Sequence, residues 1–109
     1  DIDNDEWRIL YQIKYFDNLL GLVLELHNID LQSELLKKFL LTNKRFKIAH
    51  IHANNMGGVD KNGDPLVIEL TLLNTKLAKK YKIIKNKKFK PHPLDFKNDP
   101  SRPEIPIKF

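Results

Sequence analysis

Cysteine is absent from this chain, which excludes disulfides and thiolate metal sites. Long hydrophobic runs are absent as well. The longest apolar stretches are four to six residues, far short of a membrane span. No charged, apolar and cleavage regions stand in order at the start, so a signal peptide is not expected. Positive charge without acid is concentrated in one segment. Lys76, Lys79, Lys80, Lys82, Lys85, Lys87, Lys88 and Lys90 supply eight positive charges in fifteen residues. The remaining chain holds 11 basic and 14 acidic residues, a balance of −3 beneath an overall charge of +5. The molecule is therefore a mildly acidic domain with one basic segment, which argues against a general nucleic-acid-binding surface. Glycine is scarce at four residues, and five of the six prolines fall in residues 91–109. Such a tail cannot form a regular helix and is expected to be extended.

With 41% apolar residues, the 109-residue chain can bury a real core of one domain or of part of one. Residues 5–15 read as a helix, with Asp5 and Glu6 at the positive end of its dipole and Trp7, Ile9, Leu10, Ile13 and Phe16 at helical spacing. Leu19–Leu26 is a nearly continuous apolar run ending in His27-Asn28, the pattern of a strand buried on both faces of a parallel sheet. Asp30 is placed to cap a second helix carrying Leu31, Leu35, Leu36, Phe39 and Leu40. Phe46–His52 alternates as a strand, and residues 54–65 are dense in turn formers. Leu66–Leu73 is then a further strand, expected to lie antiparallel to its predecessor.

The order helix–strand–helix–strand–strand implies an α/β fold in which right-handed crossovers build a parallel sheet and a hairpin adds a final antiparallel strand. The division is residues 1–75 for the α/β part and 76–109 for the Lys-rich, then Pro-rich, tail. Ligands of such sheets bind outside the carboxyl ends of the parallel strands. Asp1-Asp3, His27-Asn28 and His52-Asn55 all fall there.

Several side chains in that set can do chemistry. Asp1 can orient or deprotonate a hydroxyl, and Asp3 can do the same or cap the first helix. His27 can act as a general base or sit as a satisfied structural histidine. His52, Asn54 and Asn55 form a polar wall suited to a sugar-like substrate. His50 and His52 share a strand face, but no third ligand is evident, so no metal site is expected. Glu25 and Glu69 sit among aliphatic residues and need partners if buried, with Lys47 or a histidine available and edge exposure the simpler account for Glu69.

Asp1-Ile2-Asp3-Asn4-Asp5-Glu6-Trp7 resembles the D-I-x-G-x-E segment of class I S-adenosylmethionine-dependent methyltransferases, most closely the FkbM-like group, with Asn4 where glycine commonly stands. The Leu22–His27 strand, the His50–Asn55 strand end, the Val67–Leu72 strand and Pro91-His92-Pro93-Leu94-Asp95 extend the likeness to bacterial members linked to surface polysaccharide. The resemblance implies the C-terminal half of a Rossmann-like, cytoplasmic O-methyltransferase acting on a sugar or surface-glycan precursor. Asp1 and His27 would be catalytic, and Asp3, His52, Asn54 and Asn55 substrate-binding. In this family the glycine-rich cofactor loop and the ribose-binding acid lie upstream. These residues alone are thus expected to bind no S-adenosylmethionine and to be inactive. The alternative is a non-catalytic α/β assembly module with a basic tail, forming homo-oligomers through an exposed sheet edge.

Overall fold

The computed structural model describes residues 2–80 and 92–108. Asp1 and most of the lysine-rich segment, including Tyr81 and Phe89, lie outside these. The elements run α1 (Glu6–Gln12), a 3-10 turn (Ile13–Tyr15), β1 (Gly21–Leu26), α2 (Ile29–Thr42), β2 (Phe46–Ala53), β3 (Ile68–Asn74) and α3 (Thr75–Lys80). The fold is α/β, with a three-stranded sheet in the order β1-β3-β2 and both outer strands antiparallel to β3.

That order corrects one expectation. β1 and β2 do run in the same direction, joined through α2, but they do not pair. The hairpin returns β3 into the gap between them, so every pairing among the described strands is antiparallel. The reason lies in β3 itself. Its even-numbered residues Ile68, Leu70, Leu72 and Asn74 are buried and its odd ones half-buried, which suits a central strand better than an edge. β1 and β2 are both edges, and on β1 Val23 stands at 79% exposure in a run expected to be covered on both faces.

α1 and α2 cover one face of the sheet. Trp7, Leu10, Ile13 and Phe39 pack there against Leu26, Phe46, Ile51, Ile68, Leu70 and Leu72. The start of α2 also differs from expectation. Asn28, in the left-handed region at φ 54°, is the N-cap, and Asp30 lies inside the first turn. A carboxylate there still favours the helix through its dipole. The short α3 continues directly from β3, where the sequence pattern had faded. Arg45 ties the layers by donating to the carbonyls of Ile13 and Phe16.

Residues 92–108 contain no helix or strand and return to the second face of the sheet. Among the described residues no helix is long and apolar enough to cross a membrane.

Candidate functional site

Because β1 and β2 point the same way, their carboxyl ends fall on one line. Leu26, Ile68 and Ala53 share a row across the sheet, and Glu25, Glu69 and His52 share the row before it on the opposite face. Two like charges directly opposed across strands are unfavourable unless neighbours relieve them. Here histidines and amides do so, and they divide the edge into two linked groups.

The first group surrounds His27. The ring Nδ1 donates to Glu6 Oε1 at 2.9 Å, and Nε2 lies 3.4 Å from Glu25 Oε1. Trp7 Nε1 donates to the His27 carbonyl at 3.0 Å, which fixes the backbone that carries the ring. Asn28 Nδ2 donates to Asn4 Oδ1, docking the N-terminal loop on the end of β1. In that loop Asp3 and Asn4 adopt φ of 50° and 78°, a left-handed conformation open mainly to glycine, asparagine and aspartate. Glu6 is 1% exposed. Burial pushes its carboxyl up, but backbone donors of Glu6, Asn4 and Ile2 together with the His27 ring outweigh this and hold it below the usual carboxylate range. Glu6 is therefore an anion at neutral pH.

The second group surrounds His52. Its Nδ1 donates to Glu69 Oε2 at 3.1 Å, while Nε2 stands 3.3 Å from Glu104 Oε2 without the alignment of a hydrogen bond. Burial alone would lower this imidazole, but the hydrogen bond to Glu69 and the charges of Glu69, Asp95 and Glu104 raise it above its ordinary value. Asn98 Nδ2 donates to the other Glu69 oxygen at 2.7 Å. Asn54 joins the first group, donating to Glu25 Oε1 at 3.3 Å and accepting from the Met56 amide at 2.9 Å, and the two groups meet at the cross-strand pair Glu25 and Glu69.

Asp1 falls outside the described residues. Asp3 is exposed on the N-terminal loop. His27 and Asn54 meet through Glu25. His52 joins the same row through Glu69, whereas Asn55 turns away. The Asn55 amide donates to the carbonyls of Asp99, Arg102 and Pro103, and its oxygen accepts from the Asp99 amide. Its side chain is committed to holding the tail. His50 binds Asp95 at 2.8 Å, and the same carboxylate acts on His52 through its charge. Among the described residues no group of three or more His, Asp or Glu is arranged to hold a metal ion.

Three contributors escaped the sequence reading. Glu6 read as a first-turn helix residue, and Glu69 as an edge residue, yet it lies on the central strand with His52 as its partner. Glu104 had no signal at all. The i, i+2 spacing of Glu25 and His27 was the one available clue, since it puts both on one strand face.

Beside the carboxyl end of β1, a surface cleft of about 650 Å³ opens between the start of α2 and the hairpin loop. Asp30, Ser33, Asp60, Lys61, Asn62 and Asp64 supply its polar lining, beside the apolar Ile29, Pro65 and Leu66. No glycine-rich strand-to-helix loop occurs among the described residues. Gly57-Gly58 follows β2 but leads into the hairpin, and a Cβ at Gly57 would collide with Val67 at 2.4 Å. That glycine serves packing of the loop on the entry to β3 rather than a phosphate cradle. No family model matches the chain, nor does any curated protein or solved structure compared with it.

Proposed function

We propose that these residues are the C-terminal portion of an S-adenosylmethionine-dependent O-methyltransferase acting on a sugar or surface-glycan precursor in the cytoplasm, inactive by themselves. The observation that carries this reading is the Glu6–His27 pair at 2.9 Å on the carboxyl edge. A buried carboxylate that takes the Nδ1 proton fixes the tautomer and leaves Nε2 as the acceptor, the arrangement a general base requires. Once Nε2 has taken a proton from a hydroxyl, Glu25 at 3.4 Å stabilises the imidazolium. The adjoining cleft, lined by carboxylates, an amide and a serine, has the hydrogen-bonding character a polyhydroxylated acceptor needs.

Two further features support the resemblance. Asn4, standing where the family segment has glycine, adopts φ 78°. β1 and β2 run in one direction through a helical connection, with a single reversed strand after them. The residues described here do not fit the cofactor, since they lack its loop, and its binding is assigned to upstream residues.

Calorimetric titration of S-adenosylmethionine into the 109-residue chain is expected to show no binding. Measurable affinity would overturn the fragment reading. In a longer protein that carries the cofactor loop, His27→Gln is expected to slow methyl transfer by about 100-fold with cofactor affinity unchanged. An unchanged rate would remove His27 from the chemistry.

One observation favours a second reading, a non-catalytic assembly module. No described strand pairs with the outer edge of β1, and such an edge can recruit another chain.

A further inference from the structure

Residues 92–108 meet the sheet largely through polar and titratable side chains, with Ile107 packed against the apolar core. Four contacts place them on the face of β2 and β3 away from the helices. Asp95 Oδ1 accepts from His50 Nε2 at 2.8 Å, and Glu104 Oε2 stands 3.3 Å from His52 Nε2. Asn98 donates to Glu69 at 2.7 Å, and Asn55 clamps the backbone of Asp99, Arg102 and Pro103. Of these the Glu104 contact depends on protonation of an imidazole, since His52 already gives its Nδ1 hydrogen to Glu69, whereas His50 can donate to Asp95 as a neutral ring.

The surroundings of both rings are dominated by carboxylates. β3 faces His52 with Glu69, and Glu25 of β1 follows in the same row. The returning segment faces it with Glu104 and Asp95. His50 faces Asp95 and the His92 ring, which lies edge-on at a centroid distance of 6.0 Å. On β2 itself the cation of this face is Lys47, exposed at the other end of the strand. His52 is 9% exposed, and its Nε2 has no other partner among the described residues. A neutral His52 would point a lone pair or an unsatisfied N–H at this acidic enclosure. An imidazolium satisfies Glu69 and Glu104 together.

We propose that residues 92–108 are a proton-latched strap, held on the sheet while His52 is protonated and loosened when it becomes neutral, so that the Glu69–His52 end of the polar row is uncovered. The raised affinity of His52 for its proton agrees in sign. A histidine whose folded value is raised above its ordinary 6.5 contributes stability in full below 6.5, and the contribution is lost as pH rises through the raised value. The share that belongs to the strap is the part due to Asp95 and Glu104, since Glu69 stays on β3. Docking is therefore stronger in mildly acidic than in alkaline solution. Asn55 and the Asn98–Glu69 pair keep the loosened strap close, so the response is graded.

The Asp99 amide reports the strap directly, since it donates to Asn55 Oδ1 at 2.8 Å. Its hydrogen-exchange protection factor, measured by NMR on the 109-residue chain, already corrects for the intrinsic pH dependence of exchange. From about pH 6 to about pH 8.5 this protection is expected to fall several-fold, on the order of tenfold, in the parent protein. In His52→Gln and in Glu104→Gln the fall should shrink to about threefold or less, while protection of Leu70 and Leu72 in β3 stays constant with pH. Glu104 is the less buried of the two side chains, so Glu104→Gln carries the test if His52→Gln does not fold. Protection at Asp99 that is flat across this range in the parent overturns the latch. So does a Glu104→Gln protein with the parent's full slope.

Discussion

A single carboxylate, Glu6, shows how much of this edge depends on one proton. It is buried to 1% exposure yet ionised, because its own helix N-terminus and His27 surround it with donors. Its folded affinity for a proton is depressed, so its contribution to stability is present above about 4.5 and disappears as pH falls through the lowered value. Glu6→Gln is expected to cost about 1–3 kcal/mol at neutral pH by weakening charge-assisted bonds. The same substitution should flatten the acid limb of the stability curve. Urea unfolding of both proteins at pH 7 and at about pH 3 measures it, and the difference between them should narrow at the lower pH. Nothing local in the sequence marks this residue. The pair spans 21 positions, and Glu6 follows an acidic run in which any member could serve as a first-turn anion. His27 and Asn54 were legible because each terminates an apolar strand, where a polar residue stands out. Glu104 was not, since its position depends on the path of a segment without periodicity.

At the level of elements, periodicity located α1, α2 and all three strands, with only small displacements at their ends. Pairing was the part it could not resolve. The hairpin signal between β2 and β3 is local and was readable, but the insertion of β3 beside β1 is a long-range choice made by burial. Leu70 and Leu72 are both 0% exposed and sit where β3 meets its two neighbours and both helices. Leu72→Ala is therefore expected to cost about 2–5 kcal/mol in denaturant unfolding. On the edge strand Val23, 79% exposed, has little to lose, and Val23→Ala should stay within about 0.5 kcal/mol. Similar losses at both positions would contradict a central β3. Asp30 illustrates the reverse problem, a good capping residue made redundant when the chain turned one step earlier at Asn28. Propensity named the right neighbourhood there, and the left-handed turn after β1 chose the residue.

For the molecule as a whole, the unresolved force is the edge of β1. Its backbone donors and acceptors on the outer side have no partner strand among the described residues, and Val23 projects from the face that the returning segment leaves open. Natural edge strands are protected from pairing by charge, proline, bulges or brevity. Gly21–Leu26 has none of these along its middle, only Glu25 near one end, and that carboxylate is already engaged by His27 and Asn54. Net charge opposes association only weakly, because +8 lies in residues 76–90 and the rest of the chain, at −3, is near balance. The 109-residue chain is thus expected to self-associate as its concentration rises, with the molar mass from light scattering climbing above 12.8 kDa. Val23→Lys places a charge on the open face beside the edge and should restore the monomer without lowering stability by more than about 0.5 kcal/mol. A parent protein that stays monomeric across the concentration range would show that this edge recruits no second copy. If instead Val23→Lys and the parent associate equally, the contact lies elsewhere on the molecule, and β1 is not the interface.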